Sequence, residues 1–298
     1  MYIKLGIAPI AWSNDDMPEL GGDTPIETCL EEARIAGFSG IELGGKFPRN
    51  PGITKFLLDK YQLKLPGGWY GALLREHSVE KEWEAMQDHI NLLKFVNADV
   101  FIFADVSGSI QGKAYSSLSL RPQLNNNEWK TYAKKISEIS NRLDDIGIPM
   151  SYHAHMGTII QTETDIDNLI NETNDKTFLL YDTGHLLFGQ ANYKTILKKY
   201  ISKINHVHCK DIRKDVLENS LKKDMSFRES FLNGVFTVPG DGCIDYKPIL
   251  SQLYVSKYKK WIVIEAEQDP IKANPFQYAK IGYKYLSTIL KDIGYKLQ

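Results

Sequence analysis

Short apolar runs alternate with longer amphipathic runs along the chain, and this alternation limits the possible folds more than any other feature. Eight runs have the length and apolar content of buried parallel strands, and the runs between them have helical periodicity. The strand-like runs are IKLGIAPIA (3–11), FSGIEL (38–43), LKLPGGW (63–69), DVFIFA (99–104), IPMSYH (148–153), TFLLYD (177–182), INHVHCK (204–210) and WIVIEA (261–266). Eight strand–helix units in 298 residues are typical of a (β/α)₈ TIM barrel.

The same alternation also fits an open, doubly wound sheet, but no GxGxxG motif follows the first strand. No linker or low-complexity tract interrupts the chain, so residues 1–298 are predicted to form a single barrel domain. The loops after the first, fourth and seventh strands are long. In a barrel these loops lie at the C-terminal face, where they can form the walls of a substrate pocket.

Composition excludes several classes of partner. Hydrophobic residues make up 43% of the chain and the formal net charge is −1, so there is no basic surface for nucleic acid. No apolar run approaches the length of a membrane span, and the N-terminal segment is too short and too broken for a signal peptide. The three cysteines show no paired spacing, which indicates a reducing compartment. We therefore expect a cytoplasmic protein with a small-molecule partner and no membrane or nucleic-acid partner.

Metal-ligating side chains close four successive strand-like runs. His153, Asp182, His208 and Glu265 each lie at or next to the end of a run. Neighbouring strands of a closed barrel would bring these two nitrogens and two oxygens to one point. Such a mixed set suits Mn²⁺, Co²⁺, Fe²⁺ or Zn²⁺ better than Ca²⁺. A single histidine is more often a hydrogen-bonded core residue, but four such clusters at consecutive strand ends predict one metal site.

Further polar residues near these ends are candidates for catalysis. Lys210 shares the inward face of its strand with His208, where it can bind an oxyanion or form an ion pair. Glu42 closes the second strand and can serve as a base or a substrate ligand. His155 and His185 are second candidates for ligation, catalysis or substrate contact.

A smaller group of residues is predicted to contact substrate. His206 should lie one layer below His208, where substrate contact and structural packing are both open. Aromatic and polar residues at the ends of the early strands suit a pocket for a polyol ring. These residues are Trp12, Asn14, Asp15, Lys46 and Trp69.

The clusters resemble the xylose-isomerase-like barrels, a superfamily of sugar isomerases, epimerases and endonuclease IV. The resemblance is closest to the inosose dehydratase family and extends from residue 6 to about residue 275. The motifs that carry it are GIAPIAWSNDDMPELGG, AGFSGIELGGKFP, YHAHMGT, DTGH, HVHCKD, VPGDGCID and EAEQDP. The superfamily commonly places Glu, Asp, His and Glu at the ends of the fifth to eighth strands, and this chain departs from that pattern at His153.

The resemblance implies a lyase that dehydrates a cyclic polyol ketone, requires Mn²⁺ or Co²⁺ and depends on glutathione. Dehydration needs a base for the proton next to the ketone and an acid for the leaving hydroxyl. Candidates for these roles are Glu42, His155, His185 and Lys210, and our hypothesis is that Lys210 or His155 assists the leaving group. A ketose isomerase or epimerase, a metal-dependent nuclease and a non-catalytic sugar-binding barrel are the alternatives. A homo-oligomer is possible by analogy.

Overall fold

The structure, a computed structural model, describes residues 1–15 and 17–298. Its strands are β1 (Tyr2–Ile7), β2 (Gly40–Ile41), β3 (Gly67–Ala72), β4 (Val100–Asp105), β5 (Met150–His153), β6 (Phe178–Asp182), β7 (Ile204–Cys209), β8 (Asp211–Ile212), β9 (Phe236–Thr237), β10 (Trp261–Ile264) and β11 (Lys296–Leu297). Its α-helices are α1 (Ile26–Ala36), α2 (Pro51–Lys60), α3 (Val79–Ala85), α4 (Gln87–Phe95), α5 (Asn126–Asp145), α6 (Glu163–Glu172), α7 (Thr183–Phe188), α8 (Tyr193–Tyr200), α9 (Lys214–Lys222), α10 (Phe227–Leu232), α11 (Tyr246–Val255) and α12 (Pro275–Asp292). No helix in this described part of the chain combines the length and apolar character needed to cross a membrane.

The strands β1 to β7 and β10 form a closed barrel. They lie in the order β2-β1-β10-β7-β6-β5-β4-β3, and every neighbouring pair is parallel. The ring closes through parallel bridges from Gly40 to Lys64 and from Leu43 to Gly68. The predicted (β/α)₈ barrel is confirmed, and the open doubly wound sheet is excluded because its edge strands would not meet.

Alternating side chains separate the barrel interior from the layer under the helices. On β7, Val207 and Cys209 belong to the large apolar core, together with residues of the surrounding helices. The intervening residues, His206 and His208, point to the other side of the strand, as the two-residue period of a strand requires. Deeper in the barrel the interior is filled by small apolar clusters that include Val100, Ile102, Leu180, Trp261 and Val263.

Two strands and one loop differ from the sequence-based expectation. The run 3–11 ends as a strand at Ile7, because Pro9 begins a short 3₁₀ turn, Pro9–Ala11. The third strand lies at Gly67–Ala72 rather than at 63–69, since its run is interrupted by Pro66. The segment after β7 is not a plain loop but contains α9, α10 and the antiparallel pair β8–β9.

His89 on α4 is expected to make stability depend on pH. Burial, with a smaller effect of Arg49, lowers the pKa of His89 from 6.5 to about 4. Between these two values the unfolded chain binds more protons, so stability falls as the pH drops from 6.5 towards 4. The side chain is only partly buried, so we expect a loss of roughly 1–3 kcal/mol.

Urea unfolding at pH 7 and pH 4.5 tests this expectation. His89→Gln keeps a donor for the carbonyl of Gly68, which lies 3.2 Å from His89 Nε2, but does not titrate. The variant should lose less stability than the original chain between the two pH values. Equal losses would assign the acid sensitivity to other groups.

Candidate metal centre and substrate cleft

Four side chains of metal-ligating types meet at the C-terminal ends of neighbouring strands. His153 and Asp182 are the last residues of β5 and β6, His208 is the penultimate residue of β7, and Glu265 follows β10 directly. In the strand register Asp182 is paired with His208, and His208 is paired with Val263, two residues before Glu265. All four side chains are buried. The structure therefore brings together the four residues that the sequence predicts as ligands.

Their ligand atoms are spaced as donors around a single ion would be. Asp182 Oδ2 lies 3.5 Å from His153 Nε2 and 3.4 Å from His208 Nδ1. His208 Nδ1 also contacts Glu265 Oε2 directly. Donors bound at about 2.0–2.2 Å to one divalent cation lie about 3.0–3.5 Å apart. The cluster has the size of a divalent metal site.

These same four atoms have no hydrogen-bond partner. Within residues 1–15 and 17–298, no partner of acceptable geometry is found for His153 Nε2, Asp182 Oδ2, His208 Nδ1 or Glu265 Oε2. Buried polar atoms without partners are costly, and a metal ion satisfies all four at once. The donor set therefore fits a divalent cation of the Mn²⁺, Co²⁺ or Zn²⁺ type.

Glu42 hydrogen-bonds the ring of His208 and thereby orients it. Glu42 Oε1 accepts hydrogen bonds from His206 Nε2 at 2.6 Å and His208 Nε2 at 3.0 Å. Nε2 of His208 thus carries a hydrogen, and Nδ1 is the nitrogen that can bind a metal. Burial alone would raise the pKa of Glu42, but His208 and His206 lower it to about 2. Glu42 is therefore a carboxylate at neutral pH.

The electrostatics of the cluster favour positive charge at its centre. Burial would raise the pKa of Asp182, but Lys210 and His185 hold it well below its ordinary value. Burial would likewise lower the pKa of His208, but Glu42 and Glu265 raise it well above the ordinary value. The surrounding carboxylates thus stabilise a positive charge here, which is the condition for binding a cation.

A cleft opens above these ligands. His153, His208 and Glu265 line it together with Glu42, and His155 forms another part of its wall. Further lining residues are Ala8, Pro9, Ile10, Asp15, Leu43, Gly44, Trp69, Gln111 and Glu267. The cleft has the mixture of apolar walls and a few converging polar groups that is typical of a small-molecule site.

His155 lines the cleft with one ring nitrogen engaged by the backbone. Its Nδ1 lies 2.9 Å from the carbonyl oxygen of Met156, so Nδ1 donates and Nε2 keeps its lone pair. Burial, with His153 and Lys210, lowers the pKa of His155 to about 3. His155 is therefore a neutral imidazole.

Lys210 and His185 lie behind the cleft. The Lys210 side chain is completely buried, and its Nζ lies 2.8 Å from His185 Nε2. Among the described residues, neither Lys210 nor His185 belongs to the cleft lining. Lys210 Nζ contacts Glu265 and Glu267, which do line the cleft, and its role at the leaving group stays a prediction.

The residues predicted to contact substrate divide into two groups. Trp69 and Asp15 line the cleft, and both carboxylate oxygens of Asp15 accept from the backbone N–H of Gly45. In the described part of the chain the other predicted residues do not line it.

The remaining predicted substrate residues, Trp12, Asn14, Lys46 and His206, make contacts elsewhere in the fold. Trp12 is buried in the apolar core and donates its indole N–H to Glu32. Asn14 accepts from the backbone N–H of Met17, and Lys46 contacts the carbonyl of Gly22. Asn14 and Lys46 also line a neighbouring cavity that shares Asp15 with the cleft. Substrate contact by Trp12, Asn14 and Lys46 stays a prediction. His206 lies below Glu42, one layer deeper than His208, as the strand alternation predicts.

Two polar residues of the cleft were not among the predicted site residues. Glu267 lies beyond the end of β10, and Gln111 comes from the long loop after β4. Gln111 Oε1 is buried, and no hydrogen-bond partner for it is found among the described residues. The repeated acids of the EAE motif were the sequence signal for Glu267, whereas Gln111 had none.

Comparison with known proteins places this architecture in a family. The chain matches the family described as Xylose isomerase-like TIM barrel over residues 30–295. The chain belongs to this family. Within it, the chain is 42% identical over 297 residues to the Rhizopine catabolism protein MocC of Rhizobium meliloti, covering 100% of this chain and 91% of the relative.

The chain is also 41% identical over 292 residues to the Inosose dehydratase of Lacticaseibacillus casei, covering 97% of this chain and 98% of that protein. The resemblance predicted from the sequence motifs is thus confirmed. Among solved structures of the xylose isomerase-like type, a probable 3-DHS dehydratase, AsbF from Bacillus anthracis, superposes with a TM-score of 0.73 at 14% identity. The superposition covers 96% of this chain and 99% of AsbF, and at this identity it supports the fold alone.

Proposed function

We propose that this chain is a metal-dependent hydro-lyase that dehydrates an inosose, a cyclic polyol ketone. The product would be a trihydroxycyclohexane-dione, and scyllo-inosose (2-keto-myo-inositol) is the substrate to test first. The reaction would serve inositol catabolism, in line with the relatives named inosose dehydratase.

One observation carries the proposal: four unpartnered buried donor atoms converge at the floor of a cleft in a chain that is 41% identical to an inosose dehydratase. His153, Asp182, His208 and Glu265 would hold the metal ion. A divalent ion held by these residues would supply Lewis-acid chemistry that polarises the ketone and acidifies the hydrogen on the neighbouring carbon. Trp69 and Gln111 would contact the polyol ring.

His155 is the group that we assign to proton transfer. Its Nε2 would take the proton from the carbon next to the ketone and return it to the hydroxyl on the following carbon. The C–H electron pair forms the new double bond, the C–O bond breaks, and water leaves. The remaining enol then tautomerises to the dione. Positioned proton transfer of this kind contributes about 10²–10⁴-fold in rate.

Glu42 supports the site by fixing the ring of His208. The contact to Glu42 Oε1 sets which nitrogen of His208 carries hydrogen. Residues that orient a metal ligand in this way typically change metal affinity or activity by about 10–100-fold when they are replaced. Glu42 is thus a positioning residue in this proposal.

Incubation of the Mn²⁺- or Co²⁺-loaded protein with scyllo-inosose tests the proposal. We expect ultraviolet absorption from the dione, and no absorption after the metal is removed by a chelator. Absence of product with both metals would contradict the dehydratase assignment. NMR of the same mixture would reveal a rearranged ketose if the chain were instead an isomerase or epimerase.

Other properties stay predictions at this point. The choice between Mn²⁺ and Co²⁺ is tested by loading each metal separately. The glutathione requirement that the resemblance implies is tested by adding glutathione to the same assay. A cytoplasmic location and a homo-oligomeric state also stay predictions.

A further inference from the structure

We propose that the ammonium group of Lys210 occupies a second cation site beside the metal centre and thereby limits the chain to one metal ion. Removal of this side chain would open the site to a second divalent cation. The inference rests on the metal centre of the proposed function and concerns the number of ions that the chain binds.

The surroundings of Lys210 Nζ are those of a bound cation. Nζ lies 2.7 Å from Glu267 Oε2, 2.9 Å from Glu265 Oε1 and 2.8 Å from His185 Nε2. An ammonium group has no acceptor capacity, so the two carboxylate oxygens accept from it. His185 Nε2 can accept as well only in the tautomer with hydrogen on Nδ1, the atom that lies 3.3 Å from the backbone N–H of Met156. The three atoms around Nζ are two carboxylate oxygens and one imidazole nitrogen. Atoms of these types ligate Mn²⁺, Co²⁺ or Zn²⁺.

His155 is a further residue that could ligate a metal ion at this second site. Ligand atoms of His155, His185 and Glu267 all lie within 4.8 Å of one another, and all three residues are buried. None of these residues belongs to the set His153, Asp182, His208 and Glu265. Glu265 connects the two sites, because its Oε2 faces His208 and its Oε1 faces Lys210.

The chain makes room for the lysine in this position. A Cβ atom at Gly184 would lie 2.6 Å from Lys210 Cγ and 2.8 Å from Lys210 Cβ and Cδ. These atoms belong to the lower part of the side chain, which cannot swing away. The ammonium also lies 4.5 Å from the centre of the Phe236 ring, a further favourable contact for a cation. Glycine at position 184 thus permits the buried lysine.

The buried charges agree with this arrangement. Asp182, Glu265 and Glu267 are three buried carboxylates around the two sites. A fourth buried carboxylate, Glu42, bonds His206 and His208. One divalent ion and one ammonium supply three positive charges towards these four carboxylates. Removal of Lys210 takes away one of these positive charges, which favours a second cation.

Metal counting on Lys210→Ala tests the inference. The full-length variant and the original chain are stripped with a chelator, dialysed to equilibrium against Mn²⁺ and analysed for manganese per chain. We expect one more ion per chain in the variant than in the original. Because Mn²⁺–donor distances are shorter than the ammonium contacts, the side chains would move inward by roughly 0.5 Å. Electron paramagnetic resonance should then show spin coupling between adjacent Mn²⁺ ions only in the variant.

Further variants test whether an additional manganese ion binds at the site that Lys210 occupies. Lys210→Ala combined with Glu267→Gln should lose the additional ion, because the second site loses a charged ligand. Lys214→Ala removes an exposed lysine whose partner is Glu218, and its count should equal that of the original chain. If Lys210→Ala does not fold, Lys210→Gln, which is one atom shorter than lysine and offers an amide oxygen, should show the same gain.

The outcomes separate this inference from the proposed function. Equal counts in Lys210→Ala and the original chain, or two ions already bound to the original chain, would overturn the inference. If the original chain bound no Mn²⁺ and the variant bound one ion, the proposed metal centre would fail while the second site would stand. A gain that persists in the double variant with Glu267→Gln would place the additional ion elsewhere and would also overturn the inference.

Discussion

Asp182→Asn is expected to abolish tight metal binding and to reduce turnover of scyllo-inosose by about 10³-fold or more. Asp182 Oδ2 is the oxygen that lies within 3.5 Å of both His153 Nε2 and His208 Nδ1. Replacing a charged ligand by a neutral amide removes several kcal/mol of transition-state stabilisation that the ion would supply. Manganese content after dialysis and kcat with scyllo-inosose measure the two effects.

The substitution is chosen to leave the fold intact. Asp182 Oδ1 caps α7 by accepting from the backbone N–H of His185 at 2.8 Å, and an asparagine oxygen can accept the same bond. Asp59→Asn provides a matched control, because Asp59 is exposed and forms an ion pair with Lys55 on α2. The control should bind metal and turn over substrate normally. Undiminished Mn²⁺ affinity in Asp182→Asn would contradict the assigned ligand set.

The ligand set was predictable from the sequence because strand ends were predictable. The runs that contain Asp182 and His208 have no proline or glycine, and the one proline in the run of His153, Pro149, lies near its start, so the C-terminal limits of these runs are clear. In a closed barrel, successive parallel strands present their C-terminal ends at one face. The sequence therefore placed these residues together without any knowledge of their side-chain conformations.

The early strands were harder to predict because glycine and proline weaken their pattern. Pro66 interrupts the predicted third run, and the strand itself, Gly67–Ala72, contains three glycines. Pro9 ends β1 four residues before the predicted limit. An error of a few residues moves a side chain from the cleft to the core or to a turn. This explains why Trp12 packs in the apolar core.

Positions of side chains far from a strand end were harder to predict. Gln111 reaches the cleft from a loop whose course no periodicity determines, and Glu267 lies beyond the end of β10, where strand alternation no longer applies. The alternation did place Lys210 on the same face as His208. It could not show that the ammonium would contact Glu265, Glu267 and His185.

His155→Asn is expected to reduce kcat by about 10²–10⁴-fold while the metal content stays unchanged. Asparagine can still donate to the carbonyl oxygen of Met156, as His155 Nδ1 does at 2.9 Å. It has no basic nitrogen in place of Nε2, so the variant loses the group that we assign to proton transfer. Steady-state kinetics with scyllo-inosose should show a large fall in kcat and a small change in KM, because the residue is needed in the transition state more than in binding.

Exchange of the substrate proton separates a catalytic role of His155 from a structural one. In deuterium oxide the original enzyme should introduce deuterium next to the ketone of unreacted substrate, and His155→Asn should not, although its metal content is normal. His77→Asn is the matched control, because His77 pairs with Glu82 and, among the described residues, is not part of the cleft lining. Normal turnover and normal exchange in His155→Asn would assign the proton transfer to another cleft residue. Glu267 would then be the first to examine, because it is a carboxylate that lines the cleft.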